Sequence, residues 1–102
     1  MGRRMDEMFE PLFPLGNVTA TQGFAALCQE AEADTRATAI ELLLRHGNGD
    51  YGDVCADDAE ANRRAIEGGS RILSRYQVLG AKVYVITEWD RSLTTVLLAD
   101  EY

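Results

Sequence analysis

The sequence predicts an α+β domain: a short N-terminal strand, three helices, then a three-stranded antiparallel meander packed on the helices. Apolar residues recur at helical spacing between residues 24 and 66, and they alternate between 71 and 98. Glycine-bearing breaks separate the segments at 47–53, 68–69 and 80. At 102 residues the chain is the size of one domain. Residues 1–14 read as an N-terminal leader and 15–102 as the domain.

The leader mixes charge with Pro11 and Pro14 and has no period. Val18, Thr19 and Thr21 suit a strand over 16–21. Thr21 then caps a helix whose face is Phe24, Leu27, Cys28 and Ala31. Asp34 or Thr35 caps a second helix with the stripe Ala39, Ile40, Leu43 and Leu44, stopped by Gly47. The GNGDYGD segment at 47–53 is expected to be a solvent-exposed loop. A third helix is expected over 56–67, with Cys55, Ala59, Asn62 and Ile66 on one face. Its acids Asp57 and Asp58 come first and Arg63 and Arg64 later, as the helix dipole favours, and Glu60–Arg64 is an i, i+4 pair.

Strands are expected near 71–79, 82–88 and 93–98. A Gly80-Ala81 turn and a four-residue turn at 89–92 set the register, pairing Tyr76 with Val85 and Val85 with Val96. One face then carries Ile72, Ser74, Tyr76, Val78, Val83, Val85, Thr87, Thr94, Val96 and Leu98, and should pack on the helices. The other carries Leu73, Tyr84, Ile86, Leu93 and Leu97 among Arg71, Arg75, Gln77 and Lys82. That face is too apolar to be left to water, so either the leader or a partner covers it.

The net charge is −7, and all of that excess lies in residues 30–60; residues 61–91 carry +3. An acidic chain is repelled by nucleic acid and drawn to basic proteins. No apolar run approaches the ~20 residues of a membrane span, and a cytoplasmic location is expected. Cys28 and Cys55 lack metal-ligand spacing, and His46 is the single histidine, so neither a metal nor a cofactor is expected.

The candidate chemistry is sparse. Residues 47–53 lack the Gly-Lys-Ser/Thr ending of a phosphate loop and the ligand spacing of a calcium loop. The 87–92 turn holds an acid, a base and a hydroxyl, but Asp and Ser also belong in turns for their own backbone hydrogen bonds. Asn62, on an apolar stripe, is expected to tie its helix to a loop backbone. Trp89, at a hairpin tip, either anchors a partner or folds back on the sheet. No catalytic residue is assigned.

The residues Phe13-Pro14-Leu15-Gly16, Gly49-Asp50-Tyr51-Gly52-Asp53, Asn62 and Leu73-Ser74-x-Tyr76 precede a tail with the pattern ITE-x-DRS-x-TT-x-LL-x-x-EY over 86–102. This pattern resembles a set of short bacterial proteins known as "plasmid-related" and carried on mobile elements. The resemblance runs from Phe13 to the C-terminus, with Ala99 where that family usually has proline. It implies a mobile-element context and no particular activity.

The leading expectation is therefore a small acidic protein-interaction module. It would block a nucleic-acid-binding machine of a host, as anti-CRISPR and anti-restriction proteins of plasmids and phages do. Its partner would be a basic protein surface or a nucleoprotein complex. The expected contact residues are Asp50, Asp53, Asp57, Asp58, Glu60, Trp89, Tyr84, Ile86, Arg71 and Arg75. The second sheet face could instead hold a homodimer. The alternatives are a small enzyme using Asn62 and the 87–92 turn, and a nucleic-acid binder using Arg63, Arg64, Arg71, Arg75, Lys82 and Arg91.

Overall fold

A computed structural model describes residues 10–102. Its order is β1 (Asn17–Ala20), α1 (Gln22–Glu30), α2 (Thr35–Gly47), α3 (Ala56–Gly68), β2 (Ile72–Val78), β3 (Ala81–Thr87) and β4 (Leu93–Leu98), closed by a 3₁₀ turn at Ala99–Glu101. No described helix is long and apolar enough to cross a membrane.

The predicted meander is present, but the sheet has four strands and is mixed. Its order is β1-β4-β3-β2, with β1 parallel to β4. Three helices between β1 and β4 give the crossover that a parallel pair needs. The β3–β4 register is the expected one, with Val85 opposite Val96. The β2–β3 register is two residues off the expectation: Tyr76 faces Val83, and Val78 faces Ala81. The turn residues are Leu79 and Gly80, both at positive φ (51° and 83°), which is the primed geometry that tight hairpins use. A slip of two leaves every side chain on its face, so the core face is as expected.

On that face Tyr76, Val83, Val85 and Val96 meet Phe24 and Cys28 of α1 and Leu42 of α2. Full burial of side chains this size contributes about 1.5–3 kcal/mol each. Thr21 and Asp34 cap α1 and α2 through their side-chain oxygens. The stripe of α2 is rotated from the expected one. Ala39, Leu42, Leu43 and His46 turn inward, and Ile40 is left 43 % exposed. A second cluster joins Phe13, Tyr51, Ala65 and Ile72. Phe13 lies within the expected leader, so the packed unit begins before residue 15. The rest of that leader, residues 1–9, lies outside the described residues.

The two edges of the sheet are treated differently. The edge of β2 is closed. Asn62 of α3 accepts from the Leu73 N–H (3.0 Å) and donates to the Leu73 carbonyl (2.7 Å). The expected loop partner of Asn62 is thus a strand. Next along the edge, Arg75 donates to the Tyr51 carbonyl (3.0 Å) and accepts from the Asp53 N–H (2.8 Å). Residues 47–53 are therefore stitched to the sheet, with Tyr51 buried, rather than forming a free loop. Gly52 (φ 72°) makes this possible, because a Cβ there would overlap the Arg75 carbonyl. The edge of β1 has no such cover among the described residues.

Candidate interaction surface

His46, Ser74, Thr87 and Thr94 form a buried polar chain in the core, and their roles follow from one fixed end. The Leu15 carbonyl can only accept, so Thr94 donates to it (2.6 Å). Thr87 must then donate to Thr94 (2.7 Å) and accept from His46 Nε2–H (2.9 Å). Ser74 donates to His46 Nδ1 (2.6 Å). Burial holds the imidazole neutral, with its pKa lowered to about 4. Phe13 packs edge-on against the ring, centroids 5.2 Å apart.

A serine against a histidine has the form of a nucleophile and its base. Here both residues are 0 % exposed, and neither lines any of the surface depressions described below. The chain is a satisfied polar element of the core. Sequence reading placed Ser74, Thr87 and Thr94 on the core face but missed His46. The signal was the i, i+3, i+4, i+7 spacing of Ala39, Leu42, Leu43 and His46, obscured because histidine was not counted as a core residue.

The conspicuous C-terminal motif is likewise consumed by the fold. Arg91 donates to the carbonyls of Ala65 (2.6 Å), Ser70 (2.6 Å) and Glu88 (3.0 Å), capping the end of α3. Asp90 accepts from the backbone and hydroxyl of Ser92, which holds its carboxyl below the usual range. Glu101 accepts from the Thr21 hydroxyl (2.6 Å) and the Leu98 N–H (2.8 Å), and these contacts lower its pKa. Tyr102 lies against Tyr84, with Arg71 over its ring. Asn62 is spent on Leu73. The 87–92 turn and Asn62 therefore do not converge on a cleft.

Many of the expected contact residues also have internal partners. Asp50 pairs with Arg45 (2.7 Å), which lowers the carboxyl and raises the guanidinium pKa. Glu60 pairs with Arg63 at i, i+3, in place of the expected Arg64. Arg75 donates to the Asp53 carbonyl and Arg71 lies 3.6 Å from Glu88. Ile86 is only 4 % exposed and Tyr84 half-buried. Asp53, Asp57 and Asp58 remain exposed with no cationic partner among the described residues. Trp89 is 67 % exposed at its hairpin tip.

An apolar groove lies where neither period nor motif pointed. A groove of about 540 Å³ runs between β1 and α2, floored by Val18, Ala20 and Val96 and walled by Ala39, Ile40 and Leu43. Smaller depressions, of about 270 and 280 Å³, lie at Lys82 and Leu98 and at Arg45 and Gln77. Among the described residues six large apolar side chains are left exposed, and the groove holds two of them, Val18 (47 %) and Ile40 (43 %). Beside it is the edge of β1, bare among the described residues. Asn17 and Thr21 donate to the Ser92 and Val96 carbonyls of β4. Alternate residues of a strand point to opposite sides, so the N–H and C=O groups of Val18 and Ala20 point outward.

Compared with known proteins, the chain matches no family model, no curated protein and no solved structure. Fold and surface therefore define it only as a small α+β domain in which, among the described residues, one sheet edge is closed and the other is open.

Proposed function

We propose that this protein is an acidic interaction module whose pairing surface is the β1 edge and the groove beside it. The observation that supports this is the contrast between the sheet edges. One is sealed by an asparagine amide and a stitched loop. The other, among the described residues, is left bare, uncharged and next to exposed apolar side chains. Unprotected edges of that kind accept a further strand, with backbone bonds giving affinity and alternate side chains entering the groove.

The net charge of −7 favours a basic partner, such as the phosphate-binding face of a nucleic-acid-processing machine. Asp53, Asp57 and Asp58, which have no cationic partner among the described residues, are the acids that would meet it. Inhibition of such a machine, in the mobile-element setting that the C-terminal pattern suggests, is the role we propose for the module. An affinity capture from host cells tests it with three baits: wild type, Val18→Asp/Ile40→Asp, and Asp53→Asn/Asp57→Asn/Asp58→Asn. We expect a specific partner on wild type that is lost on the first variant and weakened on the second. Equal capture by all three would refute the assignment of the surface.

A further inference from the structure

We propose that the β1 edge pairs with β1 of a second copy of this chain, antiparallel, about a twofold axis through Thr19. This rests on the reading of β1 as a pairing surface and adds a second copy as the strand that occupies the edge when the basic partner is absent, the two competing for it.

The strand is self-complementary in that register. Val18 and Ala20 carry the outward backbone groups, so Val18 of one copy faces Ala20 of the other and the pair exchanges both N–H···O bonds. The twofold repeats this at Ala20 and Val18, giving four bonds from a four-residue strand. On the helix face a large side chain meets a small one at both positions. On the opposite face Thr19 meets its own copy across the axis, a favourable cross-strand pair. The axis stands normal to the sheet, so both α2 helices lie on one side of the seam. The two grooves join there, with Ile40 on each wall.

Charge selects this edge for self-pairing. Two chains of net −7 repel over most of their surfaces. Residues 11–29, which contain β1, hold no charged side chain at all. Among the described residues, Arg36 is the single charged side chain lining the groove. A seam built on four residues covers less than the ~800 Å² per partner of a standard stable interface. The dimer is therefore a weak, reversible one.

The test uses the full purified chain. Sedimentation equilibrium from micromolar to millimolar concentration should show a reversible monomer–dimer equilibrium. Ala20→Pro removes the outward N–H from both copies and none of the bonds to β4, and should weaken the dimer at least about tenfold. Independently of stability, Thr19→Cys should form an intermolecular disulfide with oxidised glutathione. At a non-hydrogen-bonded antiparallel pair the Cα atoms are ~4.5 Å apart, within disulfide range. Asn17→Cys should not, because its two copies lie ~13 Å apart along the strand in this register. Both are made with Cys55→Ser, because Cys55 is exposed. A chain that stays monomeric to about 1 mM overturns the dimer, as does a dimer indifferent to Ala20→Pro or equal cross-linking at 17 and 19. A monomer whose partner capture is still abolished by Val18→Asp/Ile40→Asp would leave the pairing surface standing and remove only the second copy as its occupant.

Discussion

His46 Nδ1 accepts a hydrogen bond from the Ser74 hydroxyl at 2.6 Å, at a site where both residues are fully buried. The pair connects α2 to the middle of β2, and through Nε2 and Thr87 to β3 and β4. It organises the core without meeting solvent. Asn62, Arg91 and Glu101 are likewise engaged by bonds within the fold.

The imidazole makes stability pH-dependent in a defined window. The folded pKa is about 4, against 6.5 when exposed. The unfolded chain therefore takes up a proton below pH 6.5 while the folded chain does not until about 4. Stability is complete above 6.5, falls as pH drops through this interval, and levels off below it, for a total of about 3 kcal/mol. The lowered carboxyls of Asp50 and Glu101 act only below the ordinary carboxylate range. Urea titrations at pH 7, 6 and 5 should show the loss in wild type. His46→Gln should flatten that slope and cost about 3 kcal/mol at pH 7. An unchanged slope in the variant would assign the titration elsewhere.

Gly52→Ala should be among the most damaging single substitutions outside the core, at about 3 kcal/mol. The added Cβ meets the Arg75 carbonyl, and the backbone sits at φ 72°. The control is Gly80→Ala, which carries similar strain at φ 83° but meets no neighbouring atom. Chemical denaturation should separate the two by more than about 1 kcal/mol. Equal losses would mean that the stitched edge contributes nothing.

Asn62→Ala should cost about 2 kcal/mol by leaving the Leu73 N–H and carbonyl unpaired. Hydrogen exchange is the sharper readout. The Leu73 amide should lose protection while Val83, in the central strand β3, keeps it. A Leu73 amide that stays protected in the variant would show that another group seals this edge.

Glu101→Ala should cost about 1 kcal/mol, the usual value of a capping contact. The carboxylate links the C-terminal turn to the Thr21 cap of α1 across 80 residues of sequence. Thermal melts of Glu101→Ala, Thr21→Val and the double variant should be non-additive. Full additivity would separate the two residues energetically.

Much of the fold was legible because period and turn chemistry are local. The core face of the meander followed from alternation, and Thr21 and Asp34 followed from capping. The four-residue 89–92 turn was read correctly, whereas the 79–80 turn was not, because leucine rarely takes positive φ and did not mark itself as a turn residue. The rotation of α2 was missed because a buried histidine looks polar in sequence. The parallel β1–β4 pair was missed for a different reason. Nothing local in NVTA specifies a partner 76 residues away, and that placement is what creates the open edge. The acidic segment was legible as charge. Its internal pairings, which remove Asp50 and Glu60 from the free set, depend on tertiary placement.

The most direct test of the open edge is photo-crosslinking in living cells, with a photoreactive side chain placed in turn at Val18, Ile40, Asp57 and Leu79. Val18 and Ile40 should yield discrete protein adducts, and Ala20→Pro in the same chain should abolish those at Val18. Leu79, exposed at the β2–β3 turn away from this edge, should yield none. If adducts form at Asp57 or Leu79 while Val18 and Ile40 stay silent, the β1 edge is not the working surface.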